Sequence, residues 1–403
     1  ARDRCIAMAR LNCLAAVVCA ATFASAAAVA PAPEPADETG SLCKANDANE
    51  FIFKVNFVDS PAVTGLYEVE GCDGIAPTLH FERGVTYTLV QNDRTNWYHP
   101  IGLAYYPDGA HGHGVNGFGE FASVPELEFP TPDDCDDTDF QCNPGVEKQA
   151  PLYCQDGVCE TYDDWNNGET SGLDFYEPFF ARPIDQWEGH TWAVQITIPL
   201  DSLTQEFFYF CHIHSGMSGV IKVADPPTNA NQLQFPFMPE EYYPTSTAFE
   251  QGCGVAAGTD PFHTNASEMC PGMEFLCSEE ETPFNECMEA IDCEMNHNMR
   301  ILEVGNPIAV FMHQMIPHHV NAINMARILQ KTLKDETVPG ADDEETDLEG
   351  LLLAIINEQN QQVQTMQAWL DTHNDEEVEA VAACPSERRR SLLGEGLRKA
   401  LAA

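Results

Sequence analysis

Hydrophobic and polar residues change rhythm along this 403-residue chain. In the first half the rhythm is short. FIFKVNFV (51–58), TLHFERGVTYTLVQND (78–93, with a glycine at its turn), TWAVQITIPL (191–200), FFYF (207–210) and GVIKV (219–223) are rich in β-branched and aromatic residues and predict strands. From about residue 283 apolar residues recur every three to four positions, in NECMEAIDCEMNHNMRILE (285–303), PIAVFMHQMIPHHVNAINMARILQKTL (307–333) and LEGLLLAIINEQNQQVQTMQAWLDTH (348–373). That period predicts amphipathic helices. Between about 107 and 185 neither period holds; glycine, aspartate, proline and Cys135, Cys142, Cys154 and Cys159 predict a long disulfide-pinned insertion.

The pattern therefore predicts an α+β, multidomain chain. A flexible leader (31–48) precedes a strand domain (49–225), a Pro/Cys-rich connector (226–282), a helical domain (283–375) and a tail (376–403) with a basic cluster. Ahead of the leader, Met8-Ala9-Arg10, the apolar LNCLAAVVCAATF and the small residues ASAAAVA read as a signal peptide within residues 1–30. Its apolar run is shorter than the roughly 20 residues of a spanning helix, so the expectation is export without a membrane span.

Charge narrows the partners. With 64 acidic against 19 basic residues, the net charge of −45 argues against nucleic acid and anionic membranes. The acidic runs PDDCDDTD and ADDEETDLE lack the ligand spacing of a helix-loop-helix calcium site. Of 16 cysteines, Cys5, Cys13 and Cys19 fall in the signal segment, which leaves an odd number. Setting Cys211 aside leaves enough for six disulfides in an oxidising compartment. Asn265-Ala266-Ser267 is a glycosylation sequon.

Two stretches carry chemistry. In FFYFCHIHSGMSGVIKV (207–223), Cys211, His214 and Met217 crowd a loop between two predicted strands, and His99 follows the earlier strand VTYTLVQND. Two imidazoles, a thiolate and a weak thioether are the ligand set of a type-1 copper centre. The arrangement resembles the cupredoxin family over roughly residues 50–225, with a short ligand loop similar to that of the amicyanins. The resemblance implies a Greek-key β-sandwich with His99, Cys211 and His214 as equatorial ligands and Met217 axial. The competing readings are a metal-free sandwich of the same shape or a disulfide at Cys211. His212 has no place in the quartet and reads as a surface histidine. His111 and His113 fit a chelating pair or a glycine-rich surface loop equally well, and His80 and His190 read as strand residues.

The second stretch, MHQMIPHHVNAINMA (312–326), puts Met315, His318, His319 and Met325 on one broad helical face, with His313 off it and Pro317 expected to kink the helix. Met295, His297 and Met299 add a neighbouring group, and Met366 lies on the next helix. Thioether and imidazole suit Cu(I), although methionines at helical spacing are also ordinary core filler. MIPHHVNAINMA followed by IINEQNQQVQTMQAWL resembles the domain-of-unknown-function family 305 over roughly 284–374. The resemblance implies a ferritin-like helical bundle associated with copper, and makes His313, Met315, His318, His319, Met325 and Met366 candidate ligands, with Met295, His297 and Met299 in support.

Together these patterns point to a secreted copper-binding protein for sequestration, delivery or one-electron transfer, working with a redox or copper-transfer partner. Turnover of an organic substrate is the less favoured expectation. A copper oxidoreductase and a metal-free, disulfide-stapled matrix protein are the alternatives.

Overall fold

The computed structural model describes residues 43–104, 107–111, 151–161, 172–200, 202, 204–224, 242–256, 270, 272–277, 282–301, 306–338, 340–341 and 347–373. All of them belong to one compact unit. Sheets occupy its N-terminal part and helices its C-terminal part, as the rhythm of the sequence predicts.

Among the described residues, ten strands form two sheets. The first has the order β2 (Leu66–Val69), β1 (Glu50–Asn56), β4 (Thr86–Val90), β8 (Trp192–Thr197), β6 (Leu152–Gln155) and β7 (Val158–Thr161). The second runs β3 (Leu79–Phe81), β10 (Gly219–Val223), β9 (Glu206–Cys211) and β5 (Ile101–Ala104). Aromatic residues join their inner faces: Phe53 of β1 meets Tyr209 of β9 edge-on at 5.4 Å, and Phe51 stacks on Phe81 of β3 at 5.4 Å. Alternate residues of β1 and β8 are buried, the signature of strands with one face on a core.

Strands β2 and β5 lie outside the predicted runs. LYEV is short, and IGLA is too small and too uniformly buried to alternate. The predicted insertion is a folded element in its described parts: β6 and β7 form a hairpin closed by Cys154–Cys159 that extends the first sheet, followed by α1 (Gly172–Phe180) and α2 (Ile184–Trp187). Cys135 and Cys142 lie outside the described residues.

After α3 (Ala248–Cys253) come the three long helices, α4 (Pro283–Asn298), α5 (Pro307–Asp335) and α6 (Leu348–Asp371). Side-chain caps start them: Thr282 accepts from Asn285 N–H, Asn306 from Ile308 N–H and Asp347 from Gly350 N–H. Helix α5 continues through Pro317, where the sequence predicts a kink or local opening. Cys253–Cys287 joins α3 to α4, Cys270–Cys293 fastens the preceding segment to α4, and Cys43–Cys72 links the segment beside β3 to the turn after β2. Four disulfides among the described residues suit an oxidising compartment. No described helix is long and apolar enough to cross a membrane.

The helices share the core of the sheets. Ile323 and Ala326 of α5 and Leu352, Leu353 and Ile356 of α6 belong to the same buried cluster as Phe53, Tyr67 and Tyr209. Polar staples reinforce the joint. The fully buried Arg327 of α5 donates to the carbonyls of Ser60 and Ala62 ahead of β2 and to that of Gly254 after α3. Asn360 of α6 donates to the Val63 carbonyl.

Candidate metal centre

Register brings the first set of predicted ligands together. β5 and β9 are antiparallel with Ile101 opposite Cys211, so His99, two residues before Ile101, arrives beside the end of β9. The chain then turns from β9 to β10 through a loop that carries His214 and Met217.

The segment before His99 is held from several sides. A 3-10 turn at Arg94–Asn96 is capped by Asp93, and the Asn96 amide donates to the Phe53 carbonyl. Tyr98 takes a left-handed backbone (φ 69°), unfavourable for a bulky residue, and its N–H is tied to the Phe180 carbonyl. The His99 carbonyl accepts from the Gln91 amide (2.6 Å) and the Tyr67 hydroxyl (3.0 Å), while Gln91 Oε1 accepts from Ile101 N–H (2.8 Å). This strained corner turns the imidazole inward.

His99, Cys211 and His214 are each fully buried. His99 Nδ1 and His214 Nδ1 lie 3.2 Å apart, and Cys211 Sγ lies 3.7 Å from the first and 3.9 Å from the second. A point in their plane is about 2.1 Å from all three atoms, a bond length for a first-row transition metal to imidazole nitrogen and close to one to thiolate sulfur. Among the described residues this is the one group of three His, Cys, Asp or Glu side chains whose ligand atoms lie within 4.8 Å of one another. Met217 is also fully buried, in the same core cluster as Cys211.

The outer edges of both rings explain their inward aim. His99 Nε2 faces Asn357 Oδ1 at 3.0 Å, and His214 Nε2 faces the Asn357 main-chain carbonyl at 3.3 Å. The Asn357 side-chain nitrogen donates to the Trp97 carbonyl (2.9 Å), which fixes the amide orientation and leaves its oxygen for His99. Acceptors at both Nε2 atoms favour the Nε2–H tautomers, in which both Nδ1 atoms present lone pairs to the centre.

Two such lone pairs at 3.2 Å with no proton between them repel. A cation there would relieve that repulsion. Burial pushes the histidines the same way: it holds His99 well below the ordinary imidazole range and lowers His214 to about 4, so both rings stay neutral. Burial also pushes the Cys211 thiol up to about 12, against the N–H of His214, which donates to its sulfur at 3.3 Å. A thiolate in this pocket needs a bound positive charge, as a metal ion supplies. The donor set of two neutral imidazoles and one sulfur fits a soft or borderline transition metal.

The ligand loop has supports that the sequence reading missed. Gly216 turns with φ 80°, and its N–H donates to the buried Asp108 carboxylate at 2.8 Å. Burial raises the Asp108 carboxyl, an effect that His111 and the Gly216 N–H oppose. His111 Nε2 bonds to the Cys211 carbonyl at 2.7 Å, so in this structure His111 positions the ligand loop; His113 lies outside the described residues. His212 is not a surface residue as expected. It is buried against the Phe210 ring (4.6 Å) and over Gly102, where a Cβ would come within 2.1 Å of its Nε2. Gly102 leaves room for the ring, and the Gly109–His111 turn packs on Phe210, so the outer face is covered at this end of β9. His80 lies in β3 as expected, whereas His190 precedes β8 and bonds to Asp156.

The helical candidates are distributed differently. His318 is exposed, His313, Met315 and His319 are half-buried on α5, and the His318 and His319 rings are 5.9 Å apart. His319 Nδ1 is enclosed with no hydrogen-bond partner among the described residues. Met325 is 40 % exposed, and its sulfur accepts from Asn321, which also donates to Asp292. Met366 is buried on α6, an environment unlike that of Met325. Met295, His297 and Met299 end α4 half-buried. Cys277 is free and exposed, a second unpaired cysteine beside Cys211 among the described residues. Asn265, Cys384 and the C-terminal basic cluster lie outside them.

Asn357 had a signal in the sequence. In LLLAIINEQNQQV it falls on the buried stripe of Leu353, Ile356 and Val363, where a polar side chain must find a partner. No curated protein and no solved structure matches the chain as a whole or in part. Residues 308–391 match the family model described as Domain of unknown function (DUF305), which takes in α5 from its second residue and all of α6, Asn357 included, and leaves out α4 with Met295, His297 and Met299.

Proposed function

We propose that the chain is an exported copper-binding protein. In this reading a cupredoxin-like Greek-key sandwich holds one copper ion through His99, Cys211 and His214, with Met217 as the weak axial ligand. A ferritin-like DUF305 bundle carries a second, Met/His-rich Cu(I) site drawn from His313, Met315, His318, His319, Met325 and Met366, with Met295, His297 and Met299 in support. The observation that carries the proposal is the convergence of two imidazole lone pairs and one sulfur, all fully buried, on a point at metal-bond distance.

Copper bound by such a set would supply one-electron exchange between Cu(I) and Cu(II). The protein's part is to hold three ligands in place with strand register, the Gln91–Tyr67 clamp on His99 and the outer-edge bonds to Asn357. Enclosure of every ligand slows exchange of the ion, so the reading favours retention and one-electron transfer over rapid delivery at this centre. The helical groups, half-buried or exposed apart from the buried Met366, suit a more labile site. The acidic surface and the disulfides support an extracellular setting and partners other than nucleic acid.

Metal analysis and visible absorption of the purified protein test the proposal. The expected result is bound copper with an intense thiolate-to-Cu(II) band that disappears in Cys211→Ser. Absence of both copper and band would overturn it in favour of a metal-free, disulfide-stapled structural protein. Oxygen consumption with reducing substrates would instead point to an oxidoreductase.

A further inference from the structure

The two histidines of the triad come from the strand region, yet the same residue of the DUF305 part contacts the outer nitrogen of both. Asn357 receives His99 Nε2–H on its side-chain oxygen (3.0 Å) and His214 Nε2–H on its main-chain carbonyl (3.3 Å). It is itself fully buried and locked by its bond to the Trp97 carbonyl, two residues from His99. Neither acceptor can be exchanged for a donor: the main-chain oxygen has no proton, and rotating the amide would set its NH2 against His99 and its oxygen against the Trp97 carbonyl. On the strand side the clamps hold the His99 backbone rather than its imidazole, and for His214 the Tyr98 backbone is a further hydrogen-bond partner beside Asn357.

We propose that Asn357 is the positioning residue of the triad, fixing both imidazoles as Nε2–H tautomers with Nδ1 turned toward Cys211, so that a DUF305 helix sets the metal affinity of a centre whose ligands lie on the sheets. The affinity part rests on the copper reading above; the tautomer part does not. Outer partners of ligating histidines change metal affinity by about 10–100-fold when removed, because they fix ring orientation and raise ligand basicity.

The division of labour within Asn357 gives the test its resolution. Asn357→Leu removes the side-chain acceptor for His99 but keeps the carbonyl that serves His214. Asn357→Asp, protonated in this buried setting, can still accept from His99 on one oxygen and donate to Trp97 with the other. The experiment is 15N NMR of the imidazoles in the metal-free full chain, with copper affinity measured by competition against a chelator.

In the wild type both rings are expected as Nε2–H tautomers. In Asn357→Leu, His99 should become a tautomer mixture while His214 stays unchanged, and copper affinity should fall about 10–100-fold. Asn357→Asp should recover most of both. An Asn357→Leu protein that keeps the His99 tautomer and binds copper within about twofold of wild type overturns the proposal and leaves the copper reading standing. If the wild type takes up no copper, the function proposal falls, and the tautomers alone judge Asn357. If Asn357→Leu does not fold, the wild-type tautomers and the Asn357→Asp protein decide: an Nδ1–H ring at His99 in either overturns it.

Discussion

The two histidine-rich regions hold their imidazoles in opposite ways. At the end of the sheets, His99 and His214 are sealed from water, and both outer nitrogens face Asn357, which leaves their inner nitrogens converging on the Cys211 sulfur. On α5, His318 is exposed, His319 is half-buried with a nitrogen enclosed and unbonded, and the two rings lie 5.9 Å apart. The sequence is denser in histidine and methionine in the second region, yet the first is the better formed centre. What organises a metal site is the partner of the ring nitrogen that does not bind, together with enclosure, more than the local count of ligand-type residues.

The largest expected effect strikes what the two regions share. Arg327→Ala leaves the carbonyls of Ser60, Ala62 and Gly254 buried without that donor, and should cost about 4 kcal/mol in chemical or thermal unfolding. Copper affinity at the triad should fall with it, because the staple fastens α5 to the loop ahead of β2. Unchanged stability would mean that sheets and helices do not depend on each other.

Acid should separate the regions next. His214 titrates at about 4 in the folded protein against 6.5 in the open chain, so between those values the unfolded state binds the extra proton. Its contribution to the metal-free protein is complete above about pH 6.5 and is lost as pH falls toward about 4, roughly 3 kcal/mol in all. His99 acts in the same direction, and the half-buried His319 does so more weakly. Melting temperature followed from about pH 7 to pH 4 should fall, and the dependence should flatten in His214→Gln; an equally steep curve in that variant would place the acid sensitivity elsewhere.

The smallest effect belongs to the helical face. His318→Ala with His319→Ala should change stability by less than about 0.5 kcal/mol, as expected of residues outside the sealed core. Copper stoichiometry should nevertheless drop while the thiolate band stays. An unchanged stoichiometry would remove the helical site and leave the triad as the one copper site proposed.

Much of the architecture was readable from residue patterns. Alternation and β-branched content marked β1, β3, β4, β8, β9 and β10, and the three-to-four period marked α4, α5 and α6, because each element buries a face set by its own local geometry. β2, β5 and the β6–β7 hairpin escaped notice because they are short, and β5 is buried along its whole length, which erases alternation. Pro317 sits inside α5, which runs through it as one helix, in keeping with the single helical span predicted for 307–333.

The sequence by itself determined the candidate ligand types and their chain positions: a cysteine, a histidine and a methionine at fixed spacing on one loop, and a histidine after an earlier strand. It also determined that the C-terminal part is helical and carries the DUF305 pattern. Only the tertiary structure decided that His99 meets Cys211 through the β5–β9 register, that His212 is buried, that His111 and Asp108 brace the loop, and that Asn357, 258 residues beyond His99, closes the centre from behind. The reason is physical. Local spacing fixes which side chains share a face, whereas the direction of a ring's lone pair depends on what hydrogen-bonds its far side, and that partner comes from whichever element the fold happens to pack there.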